Sequence, residues 1–218
     1  MNAHIDQLMQ TFKTIVHDQR SLEMKAYAEA HDVPIIQEIG LELMLQLLRI
    51  KAPASILEIG SAIGYSAMMM ARHLPKVQIT TIERDPVRYA EANKFLENSE
   101  VKNRILLLEA DALEISNEEL PLASYDVIFI DAAKAQYQKF FEKYAPLLKD
   151  DGMIISDNLL FHGLVFETEA IESRNLRRLV QKINHYNEWL AKHLDYDTVL
   201  LPIGDGLAIS KKKTEVQL

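Results

Sequence analysis

The chain is predicted to fold as an α/β protein, an open, seven-stranded, mostly parallel sheet covered by helices on both faces. Three observations lead there. From residue 55 onward, short apolar runs alternate with longer helical segments, and strand–helix–strand alternation places parallel strands side by side. Gly60 and Gly64 bracket the turn between the first such run and its helix. The last two runs are joined by only Pro202-Ile203-Gly204-Asp205-Gly206; that link is too tight for a crossover helix, so the final pair must be antiparallel.

The elements follow in order along a single domain of 218 residues, long enough to build a full core. Residues 1–51 read as a helical N-terminal cap. Leu41, Leu43, Met44, Leu45, Leu47 and Leu48 make its last helix so apolar that it must lie between layers. The core spans 52–213. Ser55 to Ile59 is a buried strand and Gly64 to His73 a helix, whose Met68-Met69-Met70 is helix core. Val77 to Glu83 is the second strand. Pro86 suits the next helix start, because its missing N–H costs nothing there. Arg104 to Glu109 and Tyr125 to Asp131 are strands, Tyr137 to Leu148 is a helix, and Gly152 to Asp157 is the fifth strand. A long helix covers Ile171 to His193, and the strands Asp197 to Leu201 and Leu207 to Ser210 close the sheet, leaving Lys211-Lys212-Lys213 as a flexible tail.

Composition narrows the function. The sequence has 48% hydrophobic and 26% charged residues, ordinary for a globular protein. No apolar run approaches the roughly 20 residues of a membrane span. Met1 to Gln7 lacks a basic segment followed by an apolar one. No membrane partner and a cytoplasmic location are therefore expected. There is no cysteine, which excludes disulfides, Cys-based zinc sites and a thiolate nucleophile. The net charge of −8 argues against a surface coated in basic residues for non-specific nucleic-acid binding, but not against a local basic patch.

Ligands of open parallel sheets sit outside the carboxyl ends of the strands, and that rule selects residues. Glu58-Ile59-Gly60-Ser61-Ala62-Ile63-Gly64-Tyr65-Ser66 ends the first strand and opens a helix. Glycine lets backbone approach a ligand closely, and a helix start offers free N–H groups. The spacing is G-x-x-x-G, not the G-x-G-x-x-G of dinucleotide enzymes. Glu58 suits a cationic or amine-bearing ligand. Glu83 ends the second strand, where a carboxylate can accept both hydroxyls of a ribose. Asp111-Ala112 follows the third strand, where a base edge would lie. Asp131, Asp157 and Asn158 each end an apolar run on the same side of the sheet. Two carboxylates and an amide oxygen suit a hard divalent cation, with magnesium favoured. Taken singly, these residues also serve as ordinary turns and caps; as a set they mark a nucleoside cofactor beside a cation. Lys134 follows Asp131 by three residues, where a desolvated lysine beside a metal can take a proton.

With these pieces in place, the chain resembles the magnesium-dependent catechol O-methyltransferase superfamily, from about Pro34 to Lys211. The likeness is carried by Leu57-Glu58-Ile59-Gly60, Gly64-Tyr65-Ser66-Ala67, Thr81-Ile82-Glu83, Asp111-Ala112, Phe129-Ile130-Asp131-Ala132-Ala133-Lys134 and Asp157-Asn158. It implies a Rossmann-like class I methyltransferase fold and S-adenosylmethionine as cofactor. It further implies cofactor contacts at Ile35, Glu58, Gly60, Tyr65, Ser66, Glu83, Ala112 and Asp131, metal ligands at Asp131, Asp157 and Asn158, and a catalytic Lys134. The family's later acidic substrate contact has no evident counterpart. A homodimer is implied as well.

A narrower likeness, through Tyr125–Lys134, Val180–Leu190 and Gly204–Lys213, is to the bacterial tRNA 5-hydroxyuridine methyltransferases, which convert wobble 5-hydroxyuridine to 5-methoxyuridine. It implies the tRNA anticodon region as substrate. In keeping with it, Arg174, Arg177, Arg178, Lys182 and His185 fall on one face of the long helix and apolar residues on the other, a pattern that solvated surface helices also show. Phe161 offers a loop aromatic that could stack on a base, and Trp189 reads as packing. The acidic total charge favours a small catechol-type acceptor instead. A nicotinamide-dependent dehydrogenase is a second alternative, disfavoured by the missing third glycine.

Overall fold

The computed structural model describes residue 8 and residues 11–214. Two helices, α1 (Gln19–Ala30) and α2 (Glu38–Lys51), precede the sheet. The sheet region then runs β1 (Ser55–Ile59), α3 (Tyr65–His73), β2 (Gln78–Glu83), α4 (Pro86–Glu97), β3 (Ile105–Glu109) and β4 (Tyr125–Ile130). It continues with α5 (Tyr137–Tyr144), β5 (Leu148–Ser156), α6 (Arg174–Ala191), β6 (Tyr196–Leu201) and β7 (Leu207–Lys212). The strand order is β3-β2-β1-β4-β5-β7-β6. β1 through β5 pair in parallel, and β7 runs against both β5 and β6. This is the predicted Rossmann-like class I methyltransferase arrangement.

Strand periodicity explains the two cores. Side chains alternate across a strand, so Ile56, Val127, Phe129 and Ile155 face one layer and Leu57, Ile128, Ile130 and Ile154 the other. The first layer is covered by α2 and α3, where Met68, Met69 and Met70 are fully buried. The second is covered by α5 and α6 through Phe141, Tyr144, Tyr186 and Leu190. Strand order reverses at β1 and β4, and the ends of β1, β2, β4 and β5 emerge on one edge, where such sheets bind ligands. Among the described residues, no helix is long and apolar enough to cross a membrane.

The structure corrects several boundaries. α5 stops at Tyr144, because Pro146 lies in the 3₁₀ turn Ala145–Leu147 that follows. β5 begins four residues before Gly152, at Leu148. α6 starts only at Arg174, capped by Ser173. The three terminal lysines are not a loose tail. Lys211 and Lys212 are in β7, and the Lys212 ammonium donates to the Leu148 carbonyl and to Asp150, both at 2.9 Å.

Candidate active site

The loop after β1 is shaped from within the protein. Gly60 has φ +94°, and a Cβ there would lie 2.2 Å from the Asp131 carbonyl oxygen. Gly64 has φ +79° at the mouth of α3, where a Cβ would meet Leu96 at 3.0 Å. Both glycines are thus required by backbone conformation and packing before any ligand is considered. The Gly60 N–H donates to the Ile82 carbonyl at 3.0 Å, and the Asp131 N–H to the Ile59 carbonyl at 3.0 Å. These bonds tie the ends of β1, β2 and β4 together.

The tied ends frame a cleft of ≈ 200 Å³. Ile35, Gly60, Tyr65, Ser66, Glu83, Asp111, Ala112 and Asp131 all line it, so eight of the nine expected cofactor residues meet in one place. Glu83 is held by two backbone donors, the Ala62 N–H on Oε2 and the Asp85 N–H on Oε1, both at 2.8 Å. Each oxygen keeps a lone pair for a hydroxyl in the cleft. Asp111 is turned by its Oδ1, which accepts from the Leu113 N–H at 2.8 Å, and by Arg84 at 3.2 Å. The Ala112 carbonyl accepts from the Tyr144 hydroxyl at 2.6 Å.

Glu58 is the exception. It is fully buried and does not line the cleft. Its carboxylate accepts from the Ser66 and Thr81 hydroxyls, each at 2.5 Å. It sits behind the cleft wall and fixes Ser66, which does face the cleft. Sequence position could not reveal this, because alternation at Glu58 and Ile59 decides which side chain reaches the cavity.

Burial pushes the Glu58 carboxyl up from 4.5 to about 7. The folded value lies above the ordinary one, so the stability held below pH 4.5 is lost as pH rises toward 7. The loss is on the order of 3 kcal/mol. In Glu58→Gln this dependence should vanish. The melting temperature of the native chain should fall by several degrees more than that of the variant between about pH 5 and about pH 8. Parallel curves would contradict the assignment.

Asp131, Asp157 and Asn158 converge as expected. Asn158 sits in left-handed backbone at φ +65°. Its Nδ2 donates to Asp131 Oδ1 at 3.0 Å and to Asp157 Oδ2 at 3.3 Å. Burial raises both acids, and the Asp131 charge raises Asp157 further. The Tyr137 hydroxyl is buried beside them with no hydrogen-bond partner, and burial and the two carboxylates push its pKa well up. Two like charges and an orphaned phenol in one buried spot fit a divalent cation with its water. Turned over, the Asn158 amide presents oxygen to it. Among the described residues, no cluster of three or more His, Cys, Asp or Glu side chains has metal-ligand geometry, so this donor set depends on the amide.

Lys134 lies at the cleft wall with its ammonium 5.4 Å from the Phe161 ring centroid. The sequence reading missed Asp205. It is buried in the β6–β7 turn, near enough for its charge to raise both Asp131 and Asp157, and it holds His162 Nδ1 at 2.9 Å. The flanking Gly204 and Gly206, both with positive φ, were the available signal. On α6, Arg174, Arg178, Lys182 and His185 are exposed. Arg177 is not a free cation on that face: its Nε and Nη2 donate to the Ile171 carbonyl at 2.9 and 2.5 Å. Trp189 packs on Phe141, edge to face at 5.1 Å.

The family model described as O-methyltransferase matches residues 10–213. A catechol O-methyltransferase of Niastella koreensis is 31% identical over 178 residues, covering 78% of this chain and 77% of the relative. A caffeoyl-CoA O-methyltransferase of Populus kitakamiensis is 30% identical over 185 residues, covering 83% and 77%. A solved structure from Staphylococcus aureus, described as a candidate caffeoyl-CoA O-methyltransferase, superposes with a TM-score of 0.86 at 42% identity, covering 96% of this chain and 98% of that one. An O-methyltransferase from Bacillus cereus in complex with SAH gives 0.78 at 25% identity, covering 96% and 97%.

Proposed function

The chain belongs to the O-methyltransferase family, and from that premise we propose that it transfers the methyl group of S-adenosylmethionine to one of two adjacent ring oxygens held beside a magnesium-like cation. One observation carries this reading. Asp131 lines the cofactor cleft and is also bonded to Asn158 of the carboxylate–amide cluster, so cofactor and acceptor oxygens would share a wall.

Glu83 takes the ribose hydroxyls, the backbone at Gly60 approaches the amino-acid end, and Asp111 and Ala112 border the base. Ile35, Tyr65 and Ser66 complete the cleft, with Glu58 holding Ser66. Asp131, Asp157 and Asn158 hold the cation. When bound, it supplies charge that lowers an acceptor hydroxyl's pKa and fixes its oxygen near the sulfonium. Lys134, at the same wall, receives or stabilises the released proton.

The acceptor we favour is wobble 5-hydroxyuridine of tRNA, converted to 5-methoxyuridine. Its 5-hydroxyl neighbours the C4 carbonyl, a chelating pair like that of a catechol. The exposed Arg174, Arg178 and Lys182 supply cations for phosphate. A small catechol or phenolic acceptor is the second reading, favoured by the printed activities of the Niastella and Populus relatives. A homodimer belongs to the same proposal; Phe12, Val16 and Leu22, exposed on the N-terminal segment, are apolar surface it could cover.

Methyl transfer from labelled S-adenosylmethionine to tRNA carrying 5-hydroxyuridine, run beside catechol, tests the choice. Label on the wobble uridine at submicromolar tRNA is expected. Label on catechol alone would keep the chemistry and overturn the acceptor.

A further inference from the structure

We propose that the groove between residues 133–139 and α6 holds the sugar–phosphate backbone of the RNA acceptor and delivers its target nucleotide to the cofactor cleft. The inference rests on the tRNA reading and adds the binding track. The groove measures ≈ 900 Å³ and is walled by Arg84, Lys134, Lys139, Arg178, Lys182 and His185, with no Asp or Glu among its lining residues. That is unexpected in a chain with 32 acidic and 24 basic residues.

Several lysines elsewhere on this surface are paired: Lys149 with Asp126 at 2.9 Å, Lys192 with Glu188 at 3.6 Å and Lys212 with Asp150 at 2.9 Å. Lys139, Arg178 and Lys182 are exposed, and among the described residues none of them has an acidic partner. Unpaired like charges repel one another, and a polyanion relieves that repulsion. Gln136 and Gln181 add amide donors for phosphate and sugar oxygens.

Continuity gives the groove its direction. Arg84, Ala133 and Lys134 line both the groove and the cofactor cleft. A strand lying in the groove therefore has one nucleotide at the cleft's edge. The exposed cations Arg174, Arg178 and Lys182 follow one another at one-turn spacing along α6, about 12 Å of helix, a length that suits a backbone of a few phosphates. Sequence alone placed basic residues on α6 but could not show that Lys139 and Arg84 close the opposite wall.

The test is the K139Q/R178Q/K182Q variant, which leaves the cleft residues untouched. Its KM for tRNA carrying 5-hydroxyuridine should rise at least about tenfold, and its salt dependence (log KM against log salt) should flatten by about 2. Transfer to free 5-hydroxyuridine nucleoside should stay within about twofold of the native chain. Unchanged KM and slope for tRNA would overturn the groove while leaving the tRNA reading intact. An equal loss on nucleoside and tRNA would mark a general defect and also overturn it. A native chain that methylates catechol but neither binds nor methylates tRNA would remove the tRNA reading and the groove with it. A variant whose KM rises only for a caffeoyl-CoA thioester would assign the groove to coenzyme A phosphates instead.

Discussion

Asp157→Ala is expected to lower methyl transfer at saturating cofactor by about a thousandfold or more, with cofactor affinity changed less than about threefold. Asp157 lies deep beside Asp131 and Asn158, and it is not among the residues lining the cofactor cleft. Its loss removes a charged oxygen from the donor set proposed for the cation while the Gly60 loop and Glu83 remain in place. The same change relieves a buried, mutually repelling pair of carboxylates. The cation-free variant should therefore melt no lower than the native chain, and it should gain less on adding magnesium. Turnover, calorimetric cofactor binding and melting curves with and without magnesium check the three parts. A parallel fall in turnover and cofactor affinity would place Asp157 in the cofactor site instead.

Gly60→Ala is expected to cost about 3 kcal/mol or more. The added Cβ has to coexist with a carbonyl oxygen 2.2 Å away at φ +94°. Neither β1 nor β4 can move without breaking the bonds that tie Ile59 to Asp131 and Gly60 to Ile82. The melting temperature should drop by about 6–12 °C, and cofactor binding should weaken with it, because Asp131 lies on the cleft wall. A variant melting within about 2 °C of the native chain would show that the loop relaxes freely.

Much of this architecture could be read from residue order. Alternating apolar runs, Pro86 at a helix start and the short link at Pro202–Gly206 led to the sheet and its antiparallel closure. The cluster at Asp131, Asp157 and Asn158 followed from their shared position at strand ends, which parallel topology carries to one edge. What escaped depended on side-chain direction and on partners distant in sequence. Glu58 is fully buried behind the cleft wall, where its carboxylate accepts from Ser66 and Thr81. Arg177 has helical spacing with Arg174 and Arg178, yet it turns back to the Ile171 carbonyl. Lys212 seemed to belong to a tail, but β7 continues through it and Asp150 waits across the sheet. Asp205 and Tyr137 approach the acidic pair only because β7 and α5 flank β5 and β4. Gly204 and Gly206 mark Asp205 as a turn residue, but its approach to the pair, like that of Tyr137, is set by tertiary packing.

The most direct test of the account is methyl transfer measured on chelator-treated protein as magnesium is restored, with manganese binding counted on the same sample. The account predicts that chelation abolishes transfer, that magnesium restores it, and that one manganese binds per native chain and none to the Asp157→Ala variant. Undiminished transfer in excess chelator, with S-adenosylmethionine still bound, would contradict it.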